Sequence, residues 1–167
     1  MKRKLAINMQ ELTFAFDHSE DTKFYLDLET GTAVSVSEDT LFTLENLPAD
    51  DDDDLETALQ QQDEWQQDDL REAMQIQEGM GTRYLEIPSM DSHEGYEDMV
   101  DFIATLEDNH LAELLSVAIR GQGAFRRFKD VLYDYPEARE RWFHFKDEQM
   151  QRRVLRWLDR QGIELGA

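Results

Sequence analysis

The chain contains no cysteine. That excludes disulfides, thiolate zinc sites and a cysteine nucleophile, and it fits a reducing compartment. Proline occurs three times in 167 residues. No apolar run approaches the roughly 20 residues of a membrane span. The opening Met-Lys-Arg-Lys is not followed by an apolar stretch of signal-peptide length, so a cytoplasmic location without membrane contact is expected. Positive charge is also scarce: 17 Lys and Arg stand against 38 Asp and Glu, a formal net charge of −21. Averaged over the molecule, that charge repels nucleic acid and anionic lipid.

The deficit is uneven. Residues 120–167 hold 11 of the basic and 8 of the acidic side chains, a net +3, which leaves 6 and 30, a net −24, in residues 1–119. The two ends of the chain are therefore expected to attract each other. The length suits one ordinary domain that needs no covalent or metal staples.

Against these absences stands an aromatic-rich stretch from Gly121 to Pro136. At helical spacing it puts Phe125, Phe128, Val131, Leu132 and Tyr135 on one side and Arg126, Arg127, Asp130 and Asp134 on the other. Two glycines open it and a proline closes it. So short a helix needs other elements to cover its apolar face, and the aromatic side chains are expected to point inward.

The rest of the chain reads as that cover. Asn8 with Glu11 has the form of a capping box, followed by Leu12, Ala15 and Phe16. Phe24 to Leu28 and Ala33 to Ser37 alternate apolar with polar residues around a Glu29 to Thr32 loop, which predicts a hairpin. Leu41, Leu44 and Leu47 suggest one further helical turn, ended by Pro48. The pentad Asp50 to Asp54 is a like-charge run expected to stay extended and solvated. Leu55 to Glu78 is acidic and glutamine-rich, with a sparse apolar stripe that predicts a helical arm or mobile segment. After Gly79-Met80-Gly81, Arg83 to Ile87 reads as a strand able to join the hairpin.

Asp91 with Glu94 opens another helix, with Tyr96, Met99, Val100, Ile103 and Leu106 as its stripe. Asn109 is the expected cap of the next, which carries Leu111, Leu114, Leu115, Ala118 and Ile119 and ends at Gly121. Pro136 and Glu137 start the last helical region. Its apolar side shifts from Ala138, Trp142 and Phe145 to Met150, Val154, Trp157 and Leu158, which predicts a break near Lys146-Asp147. Gly162 is the expected end of regular structure. The organisation is then 1–47 for the first helix and hairpin, 48–81 for the acidic arm or linker, and 82–167 for strand and helical core. Together they make one α+β fold, a small antiparallel sheet packed on a mainly helical C-terminal half.

Four stretches carry a family likeness: Phe24 to Gly31, Arg83 to Pro88, Tyr96 to Ile103 and Gly123 to Lys129. In their order and spacing the chain resembles a bacterial uncharacterised protein family, number 0158, over most of its length. The resemblance implies no activity, cofactor or catalytic residue, and the Asp50 to Glu78 segment is not part of it.

Few constellations point to chemistry. Arg152, Arg153, Arg156 and Arg160 line one side of the last helix, and with Arg126, Arg127 and Lys129 they make a candidate basic surface for nucleic acid. The competing reading pairs these cations with the chain's own acids. Asp50, Asp51, Asp52, Asp53, Asp54, Asp63, Glu64, Asp68 and Asp69 make a candidate acidic surface for a basic protein partner. Calcium-loop spacing fails there, because Leu55 stands where an EF-hand needs glycine. Arg120-Gly121-Gln122-Gly123 lacks the strand and the Lys-Ser/Thr ending of a phosphate loop and reads as a turn between helices. His18, His93, His110 and His144 have no metal-ligand spacing, and Ser89 and Ser92 lack a nucleophile-elbow context. Asp27/Glu29 and Glu97/Asp101 are expected to be solvated carboxylates.

The expectation is a non-catalytic interaction or regulatory module without cofactor or metal, acting through its acidic side. Nucleic-acid binding by the arginine helix is the second reading, and an enzyme of unassigned class the third.

Overall fold

The structure, a computed structural model, describes residues 3–18, 22–47 and 52–166, with the backbone only for Asp52 and Asp53. Its α+β elements run β1 (Arg3–Leu5), α1 (Met9–Asp17), β2 (Thr22–Asp27), β3 (Ala33–Ser37), α2 (Glu38–Glu45), α3 (Asp52–Gln60), α4 (Glu64–Glu78), β4 (Tyr84–Glu86), α5 (Ser92–Ala104), α6 (Asn109–Ala118), α7 (Ala124–Tyr133), α8 (Pro136–Arg160) and β5 (Ile163–Leu165). They group into two compact units. The first takes the chain up to Ser89 together with the residues from Leu158 onward; the second is Met90–Trp157.

In the first unit the expected hairpin pairs Tyr25 with Val34 and Leu26 with Ala33. β4 adds antiparallel to the other edge of β2, with Leu26 opposite Leu85, giving the order β3-β2-β4. Tyr25, Val36 and Tyr84 form a buried cluster with Ala73 and Ile76 of α4, and Leu41 and Leu44 of α2 pack against it. This corrects the expectation of an arm over Leu55 to Glu78. A sparse stripe suffices for α4 because the sheet supplies the aromatic bulk, and Leu70, Ala73 and Ile76 recur every three residues toward it. The backbone of Asp52 to Asp54 is not extended either: it begins α3.

The capping box at Asn8 is half made. Asn8 Oδ1 accepts from the Glu11 N–H at 3.3 Å, but the Glu11 carboxylate accepts from Ala33 N–H at 3.0 Å, tying α1 to the start of β3. The Asn8 N–H instead donates to Gly31 O at 3.1 Å. At Gly31, φ is +76° and a Cβ would lie 1.7 Å from Ala6 O, so only glycine fits. β1 and β5, neither expected from the sequence, pair in parallel with Arg3 opposite Ile163, so regular structure resumes after Gly162. Three-residue strands are too short to show a period.

The second unit is α5 to α7 with α8 up to Trp157. Its core gathers Met99, Phe102, Leu115, Phe128, Leu132 and Trp142. Phe102, Phe128 and Trp142 meet edge to face at centroid distances of 4.8 to 6.3 Å, a geometry that adds to their area burial. The stripe of α5 is turned relative to expectation: Phe102 is buried and Val100 is exposed. Phe125 likewise lies 43% exposed, not inside. Its ring sits where a Cβ on Gly95 would come within 3.0 Å. Asp108, not Asn109, caps α6, accepting from His110 and Leu111 N–H at 3.0 and 3.1 Å. That helix stops at Ala118, ahead of Gly121.

α8 is continuous over 25 residues, through the expected break. No glycine or proline interrupts Lys146-Asp147, and backbone hydrogen bonding does not require one apolar face along the whole helix. It buries Ala138 and Trp142 early and Met150, Val154 and Leu158 later.

Candidate interaction surfaces

The arginines read as one basic stripe have different fates. Arg153 is turned inward. Its guanidinium makes two 2.7 Å hydrogen bonds to the Asp98 carboxylate and a third, 3.3 Å, to Glu94 O. The Glu94 carboxylate lies 3.3 Å from Arg153 Nε. Asp98 is only 3% exposed, and the hydrogen bonds it accepts push the already high pKa of Arg153 further up. Arg127 is engaged as well. It donates from Nε to Ala118 O at 2.8 Å and from its two terminal nitrogens to Gln122 O and Arg120 O. The stretch from Arg120 to Gly123, expected to be a turn between helices, presents carbonyls held by a cation. Gly123, at φ +78°, lets the chain pass under that guanidinium into α7.

Arg126 and Lys129 are exposed on α7; Arg152 and Arg156 are exposed on α8 one turn apart, and Arg160 is exposed at its end. Sequence reasoning had no means of separating Arg152 from Arg153, because the partner of Arg153 lies 55 residues away.

Asp27 was expected to be solvated. It is buried, and its carboxylate takes Arg83 Nε and Nη2 at 3.1 and 3.0 Å and the Glu29 N–H at 2.9 Å. Those Arg83 bonds, more than any other contribution, hold the Asp27 carboxyl below the usual carboxylate range, against the opposing effect of burial. The pair ties the start of β4 to the end of β2.

Of the candidate acidic residues, Asp50 and Asp51 lie outside the described residues, as do the side chains of Asp52 and Asp53; Asp54 is exposed on α3. Asp63 is the N-cap residue of α4, and Glu64, Asp68 and Asp69 are exposed along that helix. Glu56 pairs with Arg71, the one cation of the α3 to α4 region, at 2.6 Å.

Asp69 belongs to a larger feature. Two adjoining hollows of about 160 and 210 Å³ share Ser37, Thr40 and Asp69. Asp39 and Trp65 line the first and Glu72 the second, and no Lys or Arg lines either. Trp65, Asp69 and Glu72 follow each other at helical spacing on one face of α4, and Trp65 is 66% exposed. Ser37 caps α2 by accepting from Thr40 N–H at 3.1 Å, which fixes the opposite wall. The α4 spacing was readable in the sequence. That Asp39 faces it was not, since the meeting of α2 with α4 is a tertiary fact.

Among the described residues no group of three or more His, Asp or Glu side chains is placed to hold a metal. No helix among them is long and apolar enough to cross a membrane.

A family model described as "Uncharacterised protein family (UPF0158)" matches residues 2–167. A Pseudomonas aeruginosa protein named UPF0158 protein PA5073 is 25% identical over 165 residues, covering 99% of this chain and 89% of its own length. No solved structure matches.

Proposed function

The chain belongs to UPF0158, a family described only as uncharacterised, and from that premise we propose a non-catalytic interaction module whose acidic side recruits a basic protein partner. One observation carries the reading. The trough between α2 and α4 presents Asp39, Asp69 and Glu72 beside an exposed tryptophan, with no cation in its walls. A lysine or arginine side chain entering it meets carboxylates and the face of Trp65 together, the combination that favours a cation over a neutral side chain. The net charge of −24 over residues 1–119 steers such a partner from a distance. Nucleic-acid binding by the arginine helix has less support, because Arg127 and Arg153 are committed to internal partners.

Neutralising the trough tests this better than deleting α4, whose Ala73 and Ile76 are core residues. Partners cross-linked to the full chain in cells are compared between wild type and the Asp39→Asn/Asp69→Asn/Glu72→Gln variant. A control neutralises Asp101, Glu107 and Glu113, which are exposed elsewhere. The expected result is a basic partner whose affinity falls about tenfold in the trough variant, with a steeper salt dependence in wild type, and is unchanged in the control. Equal losses in both variants make the effect one of net charge and end the proposal.

A further inference from the structure

A second surface, on the Met90–Trp157 unit, has the opposite character. Between α7 and α8 lies a groove of about 430 Å³ walled by Lys129, Leu132, Tyr133, Arg139, Trp142 and Phe143. Its size is that of pockets that take small ligands or a few side chains. Tyr133 and Phe143 are 72% and 53% exposed, large values for aromatic residues on a chain this polar. The Arg139 guanidinium carbon lies 5.9 Å from the Tyr133 ring centroid and 5.4 Å from that of Phe143. Two rings therefore brace one guanidinium, and a braced guanidinium loses less freedom when it binds a carboxylate in bidentate fashion. The chain carries 38 acidic residues, yet among the described residues no carboxylate pairs with this one cation.

We infer that this groove is a peptide-docking site for an acidic–aromatic segment of another protein: a large apolar side chain laid against the exposed rings of Tyr133 and Phe143, and a neighbouring carboxylate on Arg139 and Lys129. Charge decides the occupant. The walls carry two cations against the single carboxylate of Asp130, so an anionic group is matched locally. A polyanion such as single-stranded nucleic acid extends beyond the groove and meets a molecule of net charge −21. A peptide with one or two carboxylates pays little of that repulsion. This groove belongs to the Met90–Trp157 unit and the acidic trough to the other, with no residue shared, so either proposal can fail while the other stands.

The test is selection of a random heptapeptide display library on the full-length chain, followed by titration of the enriched peptides and mapping by amide chemical shifts. The expected peptides place Asp or Glu next to Phe, Tyr, Trp or Leu. They shift the amides of residues 129–133 and 139–143, and they lose about ten- to a hundredfold affinity in Arg139→Ala, as loss of a charge-assisted bidentate contact implies. Arg139→Lys restores only part of it. Tyr133→Ala and Phe143→Ala, at exposed positions that leave the core intact, weaken binding too. No enrichment over bare support overturns the inference. So do enriched peptides indifferent to Arg139→Ala, or a thymidine oligonucleotide that shifts the same amides more strongly than the peptides do.

Discussion

Replacing Arg153 by alanine removes the two N–H donors that Asp98 accepts from and leaves that carboxylate, 3% exposed, without its guanidinium partner. Truncating one side of a buried ion pair costs about 3–5 kcal/mol, most of it the desolvation of the charge left behind. For a chain of this length, such a loss lowers the melting temperature by roughly 6–20 °C. Arg152→Ala, one residue earlier and exposed, should change stability by less than about 0.5 kcal/mol. The assay is urea unfolding followed by tryptophan fluorescence and far-ultraviolet circular dichroism together. The chain divides into two units, and only coincident transitions permit a single free energy. The double variant Asp98→Leu/Arg153→Met removes both charges and should recover to within about 1 kcal/mol of wild type or exceed it. Equal and small losses for Arg152→Ala and Arg153→Ala would refute the reasoning and return Arg153 to the surface stripe.

Three further outcomes follow from named contacts. Asp27 has its folded pKa lowered, chiefly by the Arg83 hydrogen bonds. Its contribution is therefore full above the unfolded value of about 4 and is lost as pH falls through the folded value. Asp27→Asn should lower stability at neutral pH and flatten the acid limb of stability measured from about pH 5 downward; parallel curves for variant and wild type would show that Arg83 does not hold this carboxylate. Gly31→Ala drives a Cβ into Ala6 O and forces a positive φ on a residue that resists it, so unfolding should be easier by about 3 kcal/mol or more, read as the shift in urea midpoint. Arg127→Ala frees the carbonyls of Ala118, Arg120 and Gln122 and should cost about 1–2 kcal/mol, while Arg126→Ala, its exposed neighbour, should cost almost nothing in the same denaturation series.

Local patterns carried the elements. The alternation around Glu29 to Thr32 determined the hairpin, Asp91 with Glu94 and Pro136 determined two helix starts, and the spacing of Phe128, Leu132 and Trp142 marked the aromatic core. Each depends on neighbours within a turn or a strand, so each is written in the order of residues. The larger errors have the opposite cause. Arg153 with Asp98, Asp27 with Arg83, and β1 with β5 are pairings across 55, 56 and about 160 residues, and nothing in either partner's local sequence announces the other.

The residues themselves settled what the chain has to work with: no thiol, an excess of carboxylates, and cations crowded toward its end. Folding alone decided which of those charges meet each other and which face water. That is why Arg153 and Arg127 became internal fasteners, while Asp69 came to stand beside Asp39 and Arg139 came to lie between two rings. The partners that folding brings within reach, not identity, determine whether a charged side chain holds the fold or addresses a partner, and those partners are a property of the packed chain.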